Sequence, residues 1–198
     1  MNTRYATAKG FTLVEMVVAI GLFAIVVLVC VGALLSLAGA NKKAQAMQSV
    51  MNNLNIALDD MVRTIRTGSN YRCGSQSPSG NGDCQSGGES LYLTPYGKDP
   101  SNLQNDVAYI FGSPCPAGQL CKETGNGLTM SSPMPITSSD INISSIEFYV
   151  VGTARTNTGD TIQPKVVVTI TGTAGAASVK TTSTFFMQAT AVQRLLDL

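Results

Sequence analysis

Histidine and tryptophan are both absent from the 198-residue chain. Without histidine, no Ser–His–Asp or Cys–His catalytic group and no histidine-bearing zinc site can form. The many serine and threonine residues fall in loop-like sequence with no base to activate them, and no glycine-rich phosphate loop is followed by Lys-Ser or Lys-Thr. We therefore expect no enzyme activity, no catalytic residue and no cofactor.

Charged residues are also scarce, at 13% of the chain, and they nearly cancel: 13 Lys and Arg against 12 Asp and Glu give a formal net charge of +1. A protein that binds nucleic acid through bulk charge needs a basic excess on one face. The basic residues here are scattered along the chain. The composition thus gives no indication of a nucleic-acid partner.

One long apolar run does stand out, because residues 16–40 contain no charged side chain. A helix needs about 20 apolar residues to span hydrocarbon, so this run predicts a transmembrane helix. A cleaved secretory signal is the alternative, since residues 1–10 are basic and Ala-Gly-Ala at 38–40 is typical of a cleavage site; yet the run exceeds the roughly 7–15 apolar residues of such signals. A simple anchor explains the length but not the acid Glu15 near its start.

A short motif leads into the run: a basic leader, Gly10, and then Phe-Thr-Leu-Val-Glu, which ends at Glu15. This motif resembles the N-terminus of type IV pilins and type II secretion pseudopilins. The resemblance implies that a prepilin peptidase removes residues 1–10 by cutting between Gly10 and Phe11, and that Phe11 is then N-methylated. It also implies that Glu15 acts in filament assembly and that residues 11–40 form the transmembrane half of the N-terminal helix.

The resemblance further implies a setting and partners. It implies a structural subunit of a type IV pilus or type II secretion filament, and the large loop-rich domain favours a minor pilin or minor pseudopilin. Before assembly the subunit would be a single-pass protein of the cytoplasmic (inner) membrane, in contact with lipid. Its partners would be prepilin peptidase, other pilin or pseudopilin subunits and the inner-membrane assembly platform.

A membrane-tethered or secreted binding module, such as an adhesin, is the alternative function. Dependence on the peptidase separates the two hypotheses, because only a filament subunit needs the cut at Gly10 to leave the bilayer.

The position of Glu15 raises a physical question, because a lone carboxylate near hydrocarbon costs a few kcal/mol and needs a partner. Cutting after Gly10 creates an α-amine on Phe11, and N-methylation leaves that amine basic. In a filament, the carboxylate of an incoming subunit could pair with the amine of its neighbour. The alternative is that Glu15 extends to the polar membrane surface.

Five cysteines are present, and Cys30 lies in the apolar run. The others form two close pairs in Gly/Ser/Pro-rich sequence, which predicts two disulfides in an oxidising compartment, although four cysteines allow three connectivities. We favour the pairs that close short loops, Cys73–Cys84 and Cys115–Cys121; unpaired thiols in a cytosolic protein are the alternative. Basic residues flank both ends of the apolar run, so the cysteines decide the orientation: residues 41–198 are predicted to lie outside the cytoplasm.

The helix is predicted to continue beyond the membrane. Larger apolar residues recur with helical spacing at positions 47, 50, 51, 54, 58, 61, 62 and 65. Gly68 is a plausible stop, which gives one helix over 12–67 with an outer half at 41–67. Many pilins carry proline where this chain has Gly32, so no defined kink is expected. Gly32, Ser36 and Ala40 form a stripe of small residues that suits close helix packing.

The remainder is predicted to form an antiparallel sheet. Residues 69–88 have loop composition, and turn signals separate the later strands, at 157–160 (Asn-Thr-Gly-Asp) and at 172–178. Strand-like runs lie at 90–94, 106–111, 144–151, 164–171 and 179–190. The C-terminal segment is expected to be a last strand, with or without a short helix after it. The predicted fold class is α+β, with the long N-terminal helix across one face of an antiparallel meander.

One turn offers hard oxygen atoms of the kind that bind calcium, from Asp99, Asn102, Asn105 and Asp106. Their spacing matches no EF-hand loop, and solvated polar turns of this composition are common. We therefore assign no metal and keep these four residues as weak calcium candidates.

Overall fold

The computed structural model describes residues 10–74, 82–125, 131–153, 162–174 and 183–194. The chain divides into two compact units, Met1–Ala44 and Gln45–Leu198. The predicted leader, apart from Gly10, lies outside the described residues. So do the turn signal at 157–160, most of the turn signal at 172–178, and residues 195–198 of the C-terminal segment, for which a short helix after the last strand was one of two alternatives.

Helix α1 spans Leu13–Thr67, 55 residues without an interruption at Gly21, Gly32 or Gly39. It begins after Thr12, whose carbonyl accepts a hydrogen bond from the Met16 N–H (3.2 Å) and whose hydroxyl accepts one from the Glu15 N–H (3.3 Å). A threonine oxygen at this position satisfies N–H groups that have no partner within the helix. The predicted long helix is therefore present, and it is continuous through Gly32, where no defined kink was expected.

Within the first unit, every described residue from Gly10 to Ala44 is exposed. The helix is long and apolar enough to cross a membrane, with a mean hydropathy of 3.1 over its most apolar window and none of that window buried. A helix that is apolar on all sides is typical of a membrane span. The surface of this unit is thus suited to lipid or to other apolar helices rather than to water.

Within the second unit, the outer part of α1 carries a buried stripe. Its larger members are Val50, Leu54, Leu58, Met61 and Ile65, each three or four residues from the next. Full burial of one such side chain contributes roughly 1.5–3 kcal/mol. This stripe is the one expected from the spacing of apolar residues, and it supplies the helical part of the core.

Two antiparallel sheets complete the second unit. The first has the order β1 (Ser69–Cys73), β2 (Ser90–Thr94), β3 (Val107–Phe111), β4 (Leu120–Thr124) and β5 (Met134–Pro135); the second has the order β6 (Ile141–Val151), β7 (Lys165–Ala174) and β8 (Ser183–Val192). The α+β class is confirmed. The single meander was wrong, because the strands divide between two sheets, and residues 69–73 form a strand where a loop had been expected.

Strand β6 shows how the sequence builds the core. Ile141 and Ile143 are buried, and so are Ile146, Phe148 and Val150, although strict alternation would put the two groups on opposite faces. A shift of register between Ile143 and Ser145 resolves this conflict, because a bulge moves the following residues to the other face. Both groups join the same core cluster as the helical stripe.

The end of α1 lies close to strand β2. A Cβ added to Gly68 would stand 2.5 Å from Leu93 Cδ1, 3.1 Å from the Thr64 oxygen and 3.2 Å from the Thr94 oxygen. Glycine is therefore needed at the predicted helix stop because the backbone approaches its neighbours closely, and not because of a left-handed conformation.

The last helical carbonyls find partners within the sheet domain. The Tyr71 hydroxyl lies 2.7 Å from the Ile65 oxygen and 2.7 Å from the Gly68 oxygen, which share it as a donor. The Arg194 N–H donates to the Arg66 oxygen (2.8 Å), and the Gln193 side-chain amide donates to the Gly68 oxygen (3.1 Å). Carbonyls at a helix end need such partners when they are buried.

Candidate functional site

The predicted processing site lies at the start of α1. Gly10 and Phe11 precede the helix, and the Phe11 side chain is 77% exposed. Glu15 is exposed in the first helical turn, where the helix dipole favours a negative charge. Across the described part of the chain, no lysine or arginine lies within ion-pair distance of the Glu15 carboxylate. Any cation that pairs with this carboxylate therefore lies outside the described residues of its own chain.

The four predicted disulfide cysteines are brought together in the expected pairs. The Cα atoms of Cys73 and Cys84 are 6.1 Å apart, and those of Cys115 and Cys121 are 5.8 Å apart. Both separations fall in the usual range for disulfides. Cys30 is exposed on the apolar helix and has no disulfide partner among the residues with described structure.

The first pair joins the two sheets. Cys73 ends β1, whereas Cys84 pairs with Val150 of β6 through two backbone hydrogen bonds, of 2.7 and 3.2 Å. Gly88 forms a similar two-way pair with Phe148, at 3.1 and 2.8 Å. The segment 84–88 thus covers the outer edge of β6, and the Cys73–Cys84 link fixes that segment to the other sheet.

The calcium candidates do not form one cluster of free oxygen atoms. The Asp99 carboxylate accepts from the Ser101 N–H (2.9 Å), and the Asn102 side chain accepts from the Gln104 N–H (3.0 Å). The Asn105 amide donates to the Asp99 carbonyl (3.3 Å). These contacts stabilise the turn itself. No group of three or more His, Cys, Asp or Glu side chains suited to a metal occurs in the described ranges.

Asp106, the fourth calcium candidate, does not take part in that turn. Its side chain lies in the protein interior. It is fully buried, forms an ion pair with the buried Arg72, and accepts a hydrogen bond from the Thr94 hydroxyl (2.8 Å). The sequence did not predict this pair, because 34 residues separate its members and neither has a local pattern that indicates burial. Asp106 is thus a structural anchor of the sheet.

A second polar group connects α1 to the first sheet. Lys122 lies 2.7 Å from the Asp60 carboxylate and stacks over the Tyr109 ring at 5.5 Å, and the Tyr109 hydroxyl donates to the same carboxylate (3.1 Å). Burial, together with the nearby Asp60 charge, raises the pKa of Tyr109, which disfavours ionisation of this hydroxyl and preserves its role as a hydrogen-bond donor above neutral pH as well. This group fixes the helix face against β3 and β4.

Comparison with known proteins adds one finding. Residues 6–31 match the family described as the prokaryotic N-terminal methylation motif. The match covers the predicted cleavage position and Glu15, and it ends within α1. No curated protein and no solved structure matches the chain.

Over residues 6–31, the motif supports a relation to the type IV pilin-like family. The long apolar helix followed by antiparallel sheets is consistent with a pilin-like fold and with membrane anchoring of the C-terminal domain. The motif also implies processing by prepilin peptidase and assembly with other pilin subunits.

Proposed function

We infer that the chain is a minor subunit of an extracytoplasmic helical filament, in a type IV pilus or a type II secretion system. Prepilin peptidase cuts between Gly10 and Phe11, and Phe11 is N-methylated. The observation that carries this proposal is the methylation motif at residues 6–31, which extends into a helix whose described residues up to Ala44 are all exposed. The large sheet domain with its long connections supports a minor role.

The proposal divides the chain by function. Residues 1–10 are the leader, residues 11–40 lie in the membrane before assembly, and residues 41–198 form the extracytoplasmic domain, including the outer half of the helix at 41–67. The apolar surface of the first unit is satisfied by lipid in the monomer and by neighbouring helices in the filament. Disulfides at the two cysteine pairs require that the domain lie in an oxidising compartment.

Glu15 joins one subunit to the next in this proposal. Its carboxylate has no described cation within reach in its own chain, whereas each processed neighbour presents a basic amine at Phe11. The pair forms as a subunit leaves the bilayer for the filament. The repeated contact is head-to-tail, so it extends a helical assembly and does not close a ring.

N-terminal sequencing and intact mass of the membrane-extracted protein test the cleavage. With the peptidase active, we expect a mature chain that begins at N-methylated Phe11. Without the peptidase, we expect the leader to remain and the subunit to be absent from filaments. A mature chain that begins at Asn41 would contradict the proposal, and so would function without cleavage, which is expected of a tethered or secreted binding module.

Substitution of Glu15 tests the assembly role. Glu15→Ala should insert in the membrane and be cleaved at Gly10 as efficiently as wild type, because removal of the carboxylate lowers the cost of membrane insertion. Its crosslinking to neighbouring subunits should fall at least tenfold, by analogy with loss of one partner of a desolvated charge pair. Glu15→Asp is the matched control that retains the charge. If Glu15→Ala crosslinks to its neighbours as efficiently as wild type, the proposed pairing of Glu15 with the Phe11 amine is wrong.

A further inference from the structure

The first turn of α1 contains a hydrogen bond that links the processing site to Glu15. The Thr12 hydroxyl accepts from the Glu15 N–H at 3.3 Å, and the Thr12 carbonyl accepts from the Met16 N–H at 3.2 Å. Thr12 thus acts as a helix cap, whose oxygen satisfies a backbone N–H of the first turn and stabilises the helix start. Glu15 therefore lies in a turn whose geometry depends on Thr12.

Two circumstances increase the importance of this cap. Water satisfies unpaired N–H groups at an ordinary helix start, but near hydrocarbon each unsatisfied group is costly. Cleavage after Gly10 would also leave Phe11 and Thr12 as the sole residues before the helix, which begins at Leu13. Chain ends fray unless something holds them. In the mature subunit, Thr12 would be the residue that prevents the first turn from unwinding.

We propose that Thr12 is a positioning residue for Glu15: its hydroxyl keeps the first turn helical after cleavage, and so directs the Glu15 carboxylate toward the Phe11 amine of a neighbouring subunit. This inference rests on the proposed function. If the first turn unwinds, the carboxylate loses its fixed direction and pairs less often with the amine. Thr12 itself does not contact the neighbour in this scheme; it acts through Glu15.

Thr12→Val and Thr12→Ser form a matched pair for the test. Valine has the shape of threonine but cannot accept the hydrogen bond, whereas serine can. Each variant of the full chain is expressed in cells that assemble the filament, with a photo-crosslinking residue in place of the exposed Leu28. Cleavage at Gly10 and crosslinking to neighbouring subunits are measured together. Glu15→Ala and the double variant Thr12→Val/Glu15→Ala complete a thermodynamic cycle.

We expect Thr12→Val to be cleaved like wild type but to crosslink about fivefold less, the factor that corresponds to loss of a typical helix cap. Thr12→Ser should crosslink within about twofold of wild type, since serine is an equally good cap. The double variant should crosslink no less than Glu15→Ala alone, because without the carboxylate there is nothing left to position.

Three outcomes would overturn the inference while leaving the proposed function intact. The first is crosslinking of Thr12→Val at the wild-type level, and the second is loss of cleavage at Gly10 in Thr12→Val. The third is that Thr12→Val reduces crosslinking by the same factor when Glu15 is already replaced by alanine. The second would mean that the hydroxyl serves the peptidase, and the third that Thr12 acts independently of Glu15. Wild-type crosslinking by Glu15→Ala would overturn both the inference and the pairing role on which it rests.

Discussion

Arg72 and Asp106 form an ion pair in the interior of the sheet domain, where their side chains are 6% and 0% exposed. The Arg72 Nε and Nη1 atoms are also buried, and no hydrogen-bond partner for them occurs in the described part of the chain. Most of the interaction of this guanidinium with its surroundings therefore comes from one carboxylate. A buried charge that loses its partner is strongly destabilising.

Replacement of Asp106 tests this dependence. Asp106→Ala should lower the free energy of unfolding by about 3–5 kcal/mol, because Arg72 then remains buried without a counter-charge. The measurement is urea unfolding of the full-length protein in detergent, followed by circular dichroism. Asp99→Ala, in the adjacent exposed turn, should cost less than about 1 kcal/mol. If both substitutions lower the free energy of unfolding equally, the buried ion pair contributes no more to stability than an exposed turn residue.

Glu123 gives a pH-dependent prediction. Partial burial raises the pKa of Glu123 in the folded protein. The folded state then binds this proton more tightly than the unfolded state, so ionisation costs stability as the pH rises above the ordinary pKa of a glutamate, about 4.3. Glu123→Gln should therefore raise the urea midpoint slightly at about pH 7 and leave it unchanged at about pH 3. The exposed Asp140→Asn is the control, and a larger gain at the lower pH would contradict the assignment.

At the residue scale, the sequence predicts functional residues that lie close together in the chain, but it does not predict contacts between residues that are far apart in it. Gly10, Phe11 and Glu15 belong to one contiguous motif, and their proposed roles follow from the resemblance of that motif to the N-terminus of pilins. Arg72 and Asp106 meet through folding, and a charged residue in a polar turn ordinarily points to solvent. No spacing rule connects two such residues before the strands are placed.

At the scale of the elements, the predictable strands were those rich in apolar, aromatic and β-branched residues. Strands β2, β3, β6, β7 and β8 overlap the predicted ranges. Strand β1 was missed because Asn70 has a left-handed backbone (φ 55°) and Arg72 is a charged residue in a buried position. Strand β5 has two residues, one of them proline, which sequence patterns treat as a turn. Strand pairing joins residues that are distant in the sequence. The order of strand-like segments along the chain therefore did not show that they divide between two sheets.

The Cys73–Cys84 link provides an element-scale prediction. Replacement of both residues by serine should reduce the free energy of unfolding by about 3 kcal/mol, from the entropy of an open loop in the unfolded chain. Because this link fixes the segment 84–88 beside β6, hydrogen exchange at Val150 and Phe148 should accelerate.

The double serine variant at Cys115 and Cys121 is the control for that experiment. Its loop is shorter, with a sequence separation of 6 against 11, and lies on the first sheet. The expected loss is about 2 kcal/mol, without faster exchange in β6. If hydrogen exchange in β6 accelerates in the Cys115/Cys121 variant but not in the Cys73/Cys84 variant, the assignment of Cys73–Cys84 as the link between the sheets is wrong.

For the whole molecule, the number of reactive thiols reports the compartment of the domain. Protein trapped from cells with a thiol reagent, under denaturing and non-reducing conditions, should take one label, at Cys30. After reduction it should take labels at all 5 cysteines. Mass spectrometry distinguishes the two results. Five labels without reduction would place the domain in a reducing compartment and contradict the proposed orientation.

The hydrogen-bond partners of the carbonyls at the end of the helix lie near the end of the chain, so they constrain the order of folding during synthesis. Helix α1 leaves the ribosome before any strand, yet the carbonyls of Arg66 in its last turn and of Gly68 just after it accept hydrogen bonds from Arg194 and Gln193. The domain therefore cannot reach its final form until residue 194 has been translated and exported. The two cysteine pairs are local and can close much earlier, so the chain would acquire both crosslinks while its second sheet and the end of its helix are still open.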